Sequence, residues 1–228
     1  MTIDTKKIHV TPVGVAAWPR LNDPDTKFKP EGEFRVQLIL NPERSPQHAK
    51  FLSQLQETYE EAYKEACAEQ KKPKLKRVPL SIKPETDKEG NETGTGNVLV
   101  KFNMKHTFTS KKTGESFTMR PTLQDSAGKT VSPQKCRVGG GSTVRVAFTF
   151  NPFYTAGLGA GLSLRLVGVQ IIKLVEFNDG GYKFEGVEDD DGFVGEEITS
   201  EEKAALRKPA VTAGAGGGKK AESEDGDY

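Results

Sequence analysis

Apolar and polar residues alternate over several stretches of this chain, and one stretch switches to helical spacing. Ile8–Val15 predicts a short strand, followed by an irregular passage around Pro19, Asn22, Pro24 and Pro30. FRVQLIL, Phe34 to Leu40, has strand composition and ends at the turn signal Asn41-Pro42. A helix over 46–70 comes next. Ser45 suits the N-cap, and Pro46 suits the first helical position, where its missing N–H removes no bond. Leu52, Leu55, Tyr59, Ala62, Tyr63 and Ala66 recur at three- and four-residue steps and draw one apolar stripe. Glutamates fill much of the opposite side, and Pro73 stops the helix.

The run from Lys71 to Pro84 holds six basic residues, no acid and three prolines, which predicts an irregular basic loop. A Gly/Asn/Thr-rich loop, 85–97, follows it. Val98–Thr109 then reads as a strand and Ser116–Leu123 as its return, with a turn at Lys111–Gly114. DSAGK, 125–129, is another turn. After Gly139-Gly140-Gly141, the residues Val144, Val146, Phe148 and Phe150 point to one side of a strand. Gly157, Gly159 and Gly161 suggest a flexible or tightly turned loop before a final strand in which Leu162, Leu164 and Leu166 alternate with Ser163, Arg165 and Val167. About five antiparallel strands with one inserted helix fit a mainly β fold, an oligonucleotide-binding (OB) barrel of five strands. A small β-sandwich has the same strand count.

Past Glu176 the pattern dissolves. Residues 177–208 form an acidic extension with a possible short helix at Glu197–Arg207, and 209–228 form a Gly/Ala tether with an acidic tail, expected to be disordered. Charge follows the same boundary. The net charge of +1 conceals 27 Lys and Arg against 17 Asp and Glu in residues 1–175, a surplus of +10, and 6 against 15 beyond, a balance of −9. A basic body calls for a polyanionic partner. A protein with a solubilising tail has the same imbalance.

Cys67 and Cys136 are isolated, so neither a disulfide framework nor a thiolate zinc site is expected. No apolar leader opens the chain and no apolar run reaches membrane length, which predicts no membrane association and a reducing cytoplasm. Catalytic chemistry finds little to use. His9, His48 and His106 fall in no metal-binding or nucleophile motif, and the Gly139–Gly141 run lacks a P-loop lysine and leads into a strand. Asp189–Asp191 lacks calcium-loop spacing. The expectation is no enzyme, no metal and no cofactor.

Single-stranded nucleic acid needs cations along a phosphate path and aromatic faces for bases. Lys71, Lys72, Lys74, Lys76 and Arg77 supply a basic loop, while Lys101, Lys105, Arg120, Lys129, Lys135, Arg137, Arg145 and Arg165 sit on or beside the strands. Phe148 and Phe150 share a core face. Phe102 has the parity of Met104, His106 and Phe108, and serves either the core or a stacking platform. Phe153 and Tyr154 follow Pro152 and precede glycines, which leaves one of them exposed to stack on a base. Trp18, beside Pro19, is either a lid on the core, the expected case, or a stacking residue. In the tail, Glu222, Glu224, Asp225 and Asp227 imitate a short row of phosphates, and Tyr228 adds an apolar contact. Such a tail on a flexible tether returns to a basic cleft at high effective concentration until DNA displaces it.

Three stretches, in this order, resemble the single-stranded DNA-binding proteins of short-tailed (podovirus) bacteriophages. They are VGGGSTVRVAFTFNPF (138–153), GLGAGLSLRLVGVQIIKLVE (157–176) and EDGDY (224–228), with the helix QETYEEAYKEA and the basic run after it in matching positions. The resemblance implies an OB fold, a homodimer, and the coating of single strands in phage replication, recombination and repair in the cytoplasm of the infected bacterial host. It implies that the acidic tail contacts the replicative DNA polymerase and the helicase–primase and competes with DNA. By position, Phe153 matches a stacking aromatic and Arg35 a basic contact. Two departures stand out: Tyr228 replaces a terminal Phe, and the tail is less densely acidic. The competing reading is a virion or assembly protein whose basic body meets other proteins.

Overall fold

The computed structural model describes residues 3–27, 29–86, 89–110 and 113–176. The elements in chain order are β1 (His9–Val10), β2 (Gly14–Asp25), β3 (Glu33–Leu40), α1 (Pro46–Glu69), β4 (Ile82–Pro84), β5 (Val98–Lys105), β6 (Thr107–Thr109), β7 (Ser116–Thr118), β8 (Thr122–Gln124), β9 (Thr143–Thr155) and β10 (Gly159–Lys173). Among the described residues the fold is mainly β with one helix. The expectations for residues 177–228, including the short helix, the tether and the tail, lie outside the described residues, as do Lys111 and Lys112 of the expected turn.

Strand pairing runs in a circuit. β2 pairs with β3, β3 with β5, β5 with β10, β10 with β9, and β9 again with β2. Alternation decides what each strand turns inward. Phe34, Val36, Leu38 and Leu40 of β3 meet Val100, Phe102 and Met104 of β5 and Val144, Val146, Phe148 and Phe150 of β9 in one core. β10 adds Leu162, Leu164 and Leu166, then slips register between Leu166 and Gly168. That bulge at Val167 absorbs one residue, so Val169 and Ile171 still face inward although their parity has changed.

The helix sits as its pattern requires. Ser45, extended at φ −134, accepts the His48 N–H through its side chain, and Pro46 opens the first turn. Phe51, Leu55, Tyr59 and Ala62 seal the core, while Tyr63 joins Leu75 and Ala160 in a second small cluster. The stripe holds with two changes: Phe51 is buried where Leu52 is only partly so, and Ala66 is only partly buried. The helix ends at Glu69, before Pro73, with Lys71 taking a left-handed φ of 51.

Several expectations are corrected. The Ile8–Val15 strand divides into β1 and the start of β2. β2 then runs through Pro19 and Pro24, because two register irregularities absorb them. Trp18 does not pack on the core: it is 64% exposed at φ 43, a left-handed conformation within the first irregularity. The basic loop is not wholly irregular, since Ile82–Pro84 pairs with β5 at the sheet edge. Val98–Thr109 breaks at His106 into β5 and β6, and its return breaks into β7 and β8. The strands are not all antiparallel either, as β10 runs parallel to β5 and β8. Gly159 and Gly161 belong to β10, not to a loop.

Candidate nucleic-acid interface

Residues opposite each other in a ladder share a face. Arg20 lies opposite Arg35, Arg35 opposite Asn103, Asn103 beside Arg165, and Arg165 opposite Thr149. One polar row therefore crosses β2, β3, β5, β10 and β9 on the side away from the core. Along β9 and β10 the same face continues through the pairs Asn151–Ser163 and Phe153–Gly161. Lys101 and Lys105 extend it along β5. A groove of about 310 Å³ lies on this face, lined in part by Asn103, Lys105, Phe108, Met119, Ser163 and Arg165.

Glycine shapes the aromatic end. A Cβ on Gly161 would meet the Phe153 ring at 2.7 Å and Val78 at 2.9 Å, so the bare backbone is the seat of the phenyl ring. Beside it the chain after the helix docks by backbone bonds. Ala160 N–H donates to the Lys76 carbonyl and Val78 N–H to the Ala160 carbonyl, each at 2.8 Å. The close approach leaves no room at Gly159 (φ 113), whose Cβ would stand 2.2 Å from the Lys76 oxygen. Lys76 is exposed next to this junction.

The cations on this face differ in their commitments. Arg35 is ion-paired with Asp25 at 2.8 Å. Arg165 is exposed and donates to the Met119 sulfur at 3.4 Å. Glu33 is the buried acid among them, accepting from Asn103 Nδ2 at 2.6 Å and from Lys29. Burial works to raise its carboxyl, but those hydrogen bonds, with the charges of Lys29 and Lys101, outweigh it and hold the pKa below the ordinary 4.5. A carboxylate with a lowered folded pKa stabilises the fold above its unfolded pKa and loses that contribution as pH falls through the folded one. Acid unfolding of Glu33→Gln, followed by far-UV circular dichroism, is therefore expected to lose stability less steeply than the parent below about pH 4.5. Equal slopes would mean the bonds to Glu33 add nothing to acid stability.

The other sequence candidates lie elsewhere. Arg77 is tied to Glu60 at 2.7 Å and stacks 3.8 Å over the Tyr63 ring, on the helix side. Tyr154 packs against the Tyr63, Leu75 and Ala160 cluster, on the opposite side of β9 from Phe153. Both are strand residues and not loop residues. Arg120 donates to the Asn22 carbonyl at 3.2 Å, and Arg137 is 3.8 Å from Asp23. Lys129 and Lys135 stand exposed on turns, Arg145 donates to the Thr11 carbonyl at 3.3 Å, and Lys71, Lys72 and Lys74 are exposed after the helix. Glu222, Glu224, Asp225, Asp227 and Tyr228 lie outside the described residues. Thus Arg35, Lys101, Lys105, Arg165 and Phe153 share one face, with Lys105 and Arg165 lining its groove, and the other candidates do not line that groove.

Sequence reasoning missed Phe117 and did not resolve Phe108. The two lie opposite each other in the β6–β7 ladder, each 51% exposed. Phe108 has the parity of Phe102, but the chain leaves the main sheet at His106, so parity no longer predicts the core. Among the described residues no group of three His, Cys, Asp or Glu forms a candidate metal site, and no helix is long and apolar enough to cross a membrane. Both cysteines are free thiols.

The chain is similar to known proteins. Residues 13–174 match the protein family described as the single-stranded DNA-binding protein of bacteriophage T7. The single-stranded DNA-binding protein of Enterobacteria phage T3 is 29% identical over 188 residues, covering 77% of this chain and 80% of the relative. That of Escherichia phage T7 is 28% identical over 200 residues, covering 83% and 85%. The crystal structure of the T7 single-stranded DNA-binding protein superposes with a TM-score of 0.62 at 24% identity, over 83% of this chain and 99% of that one.

Proposed function

The chain belongs to the bacteriophage T7 single-stranded DNA-binding protein family, and from that premise we propose that it binds single-stranded DNA, without sequence preference, across the outer face of β3, β5, β10 and β9. The carrying observation is the convergence of Lys101, Lys105 and Arg165 with the Phe153 ring on one face. Cations follow the phosphates and the ring takes a base. Arg35 strengthens the row when it exchanges Asp25 for a phosphate. Lys71, Lys72, Lys74 and Lys76 extend the path beyond Phe153, and Arg120, Lys135, Arg137 and Arg145 contribute long-range field more than contact. The closed pairing circuit of five strands supports reading the sheet as an OB barrel.

The acidic residues Glu222, Glu224, Asp225 and Asp227, with Tyr228, compete with DNA for this face and recruit the replicative polymerase and helicase–primase. The protein acts as a homodimer in phage DNA replication, recombination and repair, in the cytoplasm of the infected host. The charge division between the two parts of the chain supports the competition. Fluorescence anisotropy with labelled oligo-dT tests both statements. Binding is expected to be stronger for single than double strands and to weaken linearly in log–log against salt. Deleting residues 222–228 should tighten binding at low salt. Unchanged affinity on deletion would remove the competition, and absence of single-strand binding at low salt would remove the whole reading.

A further inference from the structure

We propose that the β6–β7 hairpin is an aromatic arm, in which Phe108 and Phe117 stack on bases of a strand held in the groove. This rests on the DNA-binding reading above and adds a contact site to it. Both rings are half exposed, on strands otherwise made of Thr and Ser, at positions directly opposite in the ladder. Opposite positions share a face. Phe108 lines the groove with Lys105, Met119 and Arg165, so Phe117 stands one strand further out on that same face. Exposed apolar rings beside a cationic groove match single-stranded nucleic acid, whose bases offer π-faces and whose phosphates follow the charge.

The arm is fixed at its base. Met119 N–H donates to the His106 carbonyl at 2.7 Å, and His106 Nδ1 lies 3.0 Å from the Met119 carbonyl oxygen. His106 N–H and Thr107 N–H donate to the carbonyls of Gly32 and Glu31. The His106 ring stands edge-on to Phe34 at 5.4 Å, which ties the arm to the core. Two rings on a rooted hairpin need little ordering to receive bases. Phe153 lies on the same outer face, on β9, with Asn151, Ser163 and Arg165 between it and the arm. A bound strand is therefore gripped by rings at two places, with its phosphates over Arg165 and the neighbouring Lys105 of the groove.

The experiment is a cycle on the full chain with oligo-dT and an oligomer of the same length in which abasic sites replace the bases. The parent should prefer oligo-dT. Phe108→Ala with Phe117→Ala should lose about tenfold or more in oligo-dT affinity, hardly change with the abasic oligomer, and keep the slope of affinity against salt, because no phosphate contact is removed. Phe108→Tyr with Phe117→Tyr should retain parental affinity, since the π-faces remain. Circular dichroism and thermal unfolding verify the fold. Equal losses with both oligomers would mean the rings only brace the hairpin and would overturn the inference, as would an unchanged oligo-dT affinity. If the parent itself fails to bind oligo-dT, it is the underlying DNA-binding reading that falls.

Discussion

Changing Lys101, Lys105 and Arg165 together to Ala is expected to lower affinity for single-stranded DNA by about three orders of magnitude at low salt. A charge-assisted contact contributes roughly 1.5 kcal/mol or more, and three of them give about 4–5 kcal/mol. The slope of log affinity against log salt should fall by about 2, since each lost phosphate contact on a single strand removes roughly 0.7. The two readouts separate causes. A damaged fold lowers the fraction of active protein and leaves the slope alone, whereas lost phosphate contacts lower it. The three side chains occupy the outer face of β5 and β10, with no share in the core, so thermal unfolding should be near parental. An unchanged slope would place the phosphate path elsewhere, with the exposed lysines after the helix as the next site to vary.

Phe148→Ala is expected to reduce stability by about 3–5 kcal/mol. Phe148 is buried, and its ring meets those of Phe102 at 5.1 Å, Phe150 at 5.3 Å and Phe51 at 6.1 Å. It thus joins β9 to β5 and to the helix. The three neighbours sit on elements fixed by their own ladders and turns, so the cavity can collapse only in part. Against a total stability of about 5–15 kcal/mol this is a large fraction. Urea unfolding by far-UV circular dichroism should show a lower midpoint with an unchanged slope. Trp18 would report this poorly, being largely exposed in the folded state. A loss below about 1 kcal/mol would show that the helix and sheet repack around the gap.

Much of the fold was legible where physics is local. Ser45-Pro46 and the stripe from Leu55 to Tyr63 place the helix to within a residue, because capping and i, i+4 spacing are written in adjacent positions. Val144 to Phe150 and Leu162 to Leu166 reveal their core face by alternation alone. What failed was non-local. Nothing between residues 98 and 175 announces that β10 lies parallel to β5, since partner and direction are set by the closing of the circuit. Pro19 and Pro24 read as breakers, but a strand at a register irregularity tolerates residues without a ladder N–H. The basic residues could be named but not sorted: Arg77 and Arg165 look alike in sequence, and only packing shows one stacked on Tyr63 and the other facing the groove. Alternation alone does not decide Phe108, whose parity is that of a core strand until the chain turns away at His106.

The circuit of paired strands also dictates when the binding face can exist during synthesis. Gly14 of β2 waits for Val144 of β9, about 130 residues later in the chain, and Asn103 of β5 waits for Arg165. Contacts so distant in sequence make closure slow, because loop entropy must be overcome before the pairing can stabilise anything. The helix and the β2–β3–β5 segment emerge from the ribosome well before β10. The Lys101 and Lys105 row of an unfinished chain therefore faces solvent without Arg165 or the Gly161 seat for Phe153. On the proposed binding face, a nascent chain would attract polyanions, but it would seat a base against Phe153 only once its last strand has closed the circuit.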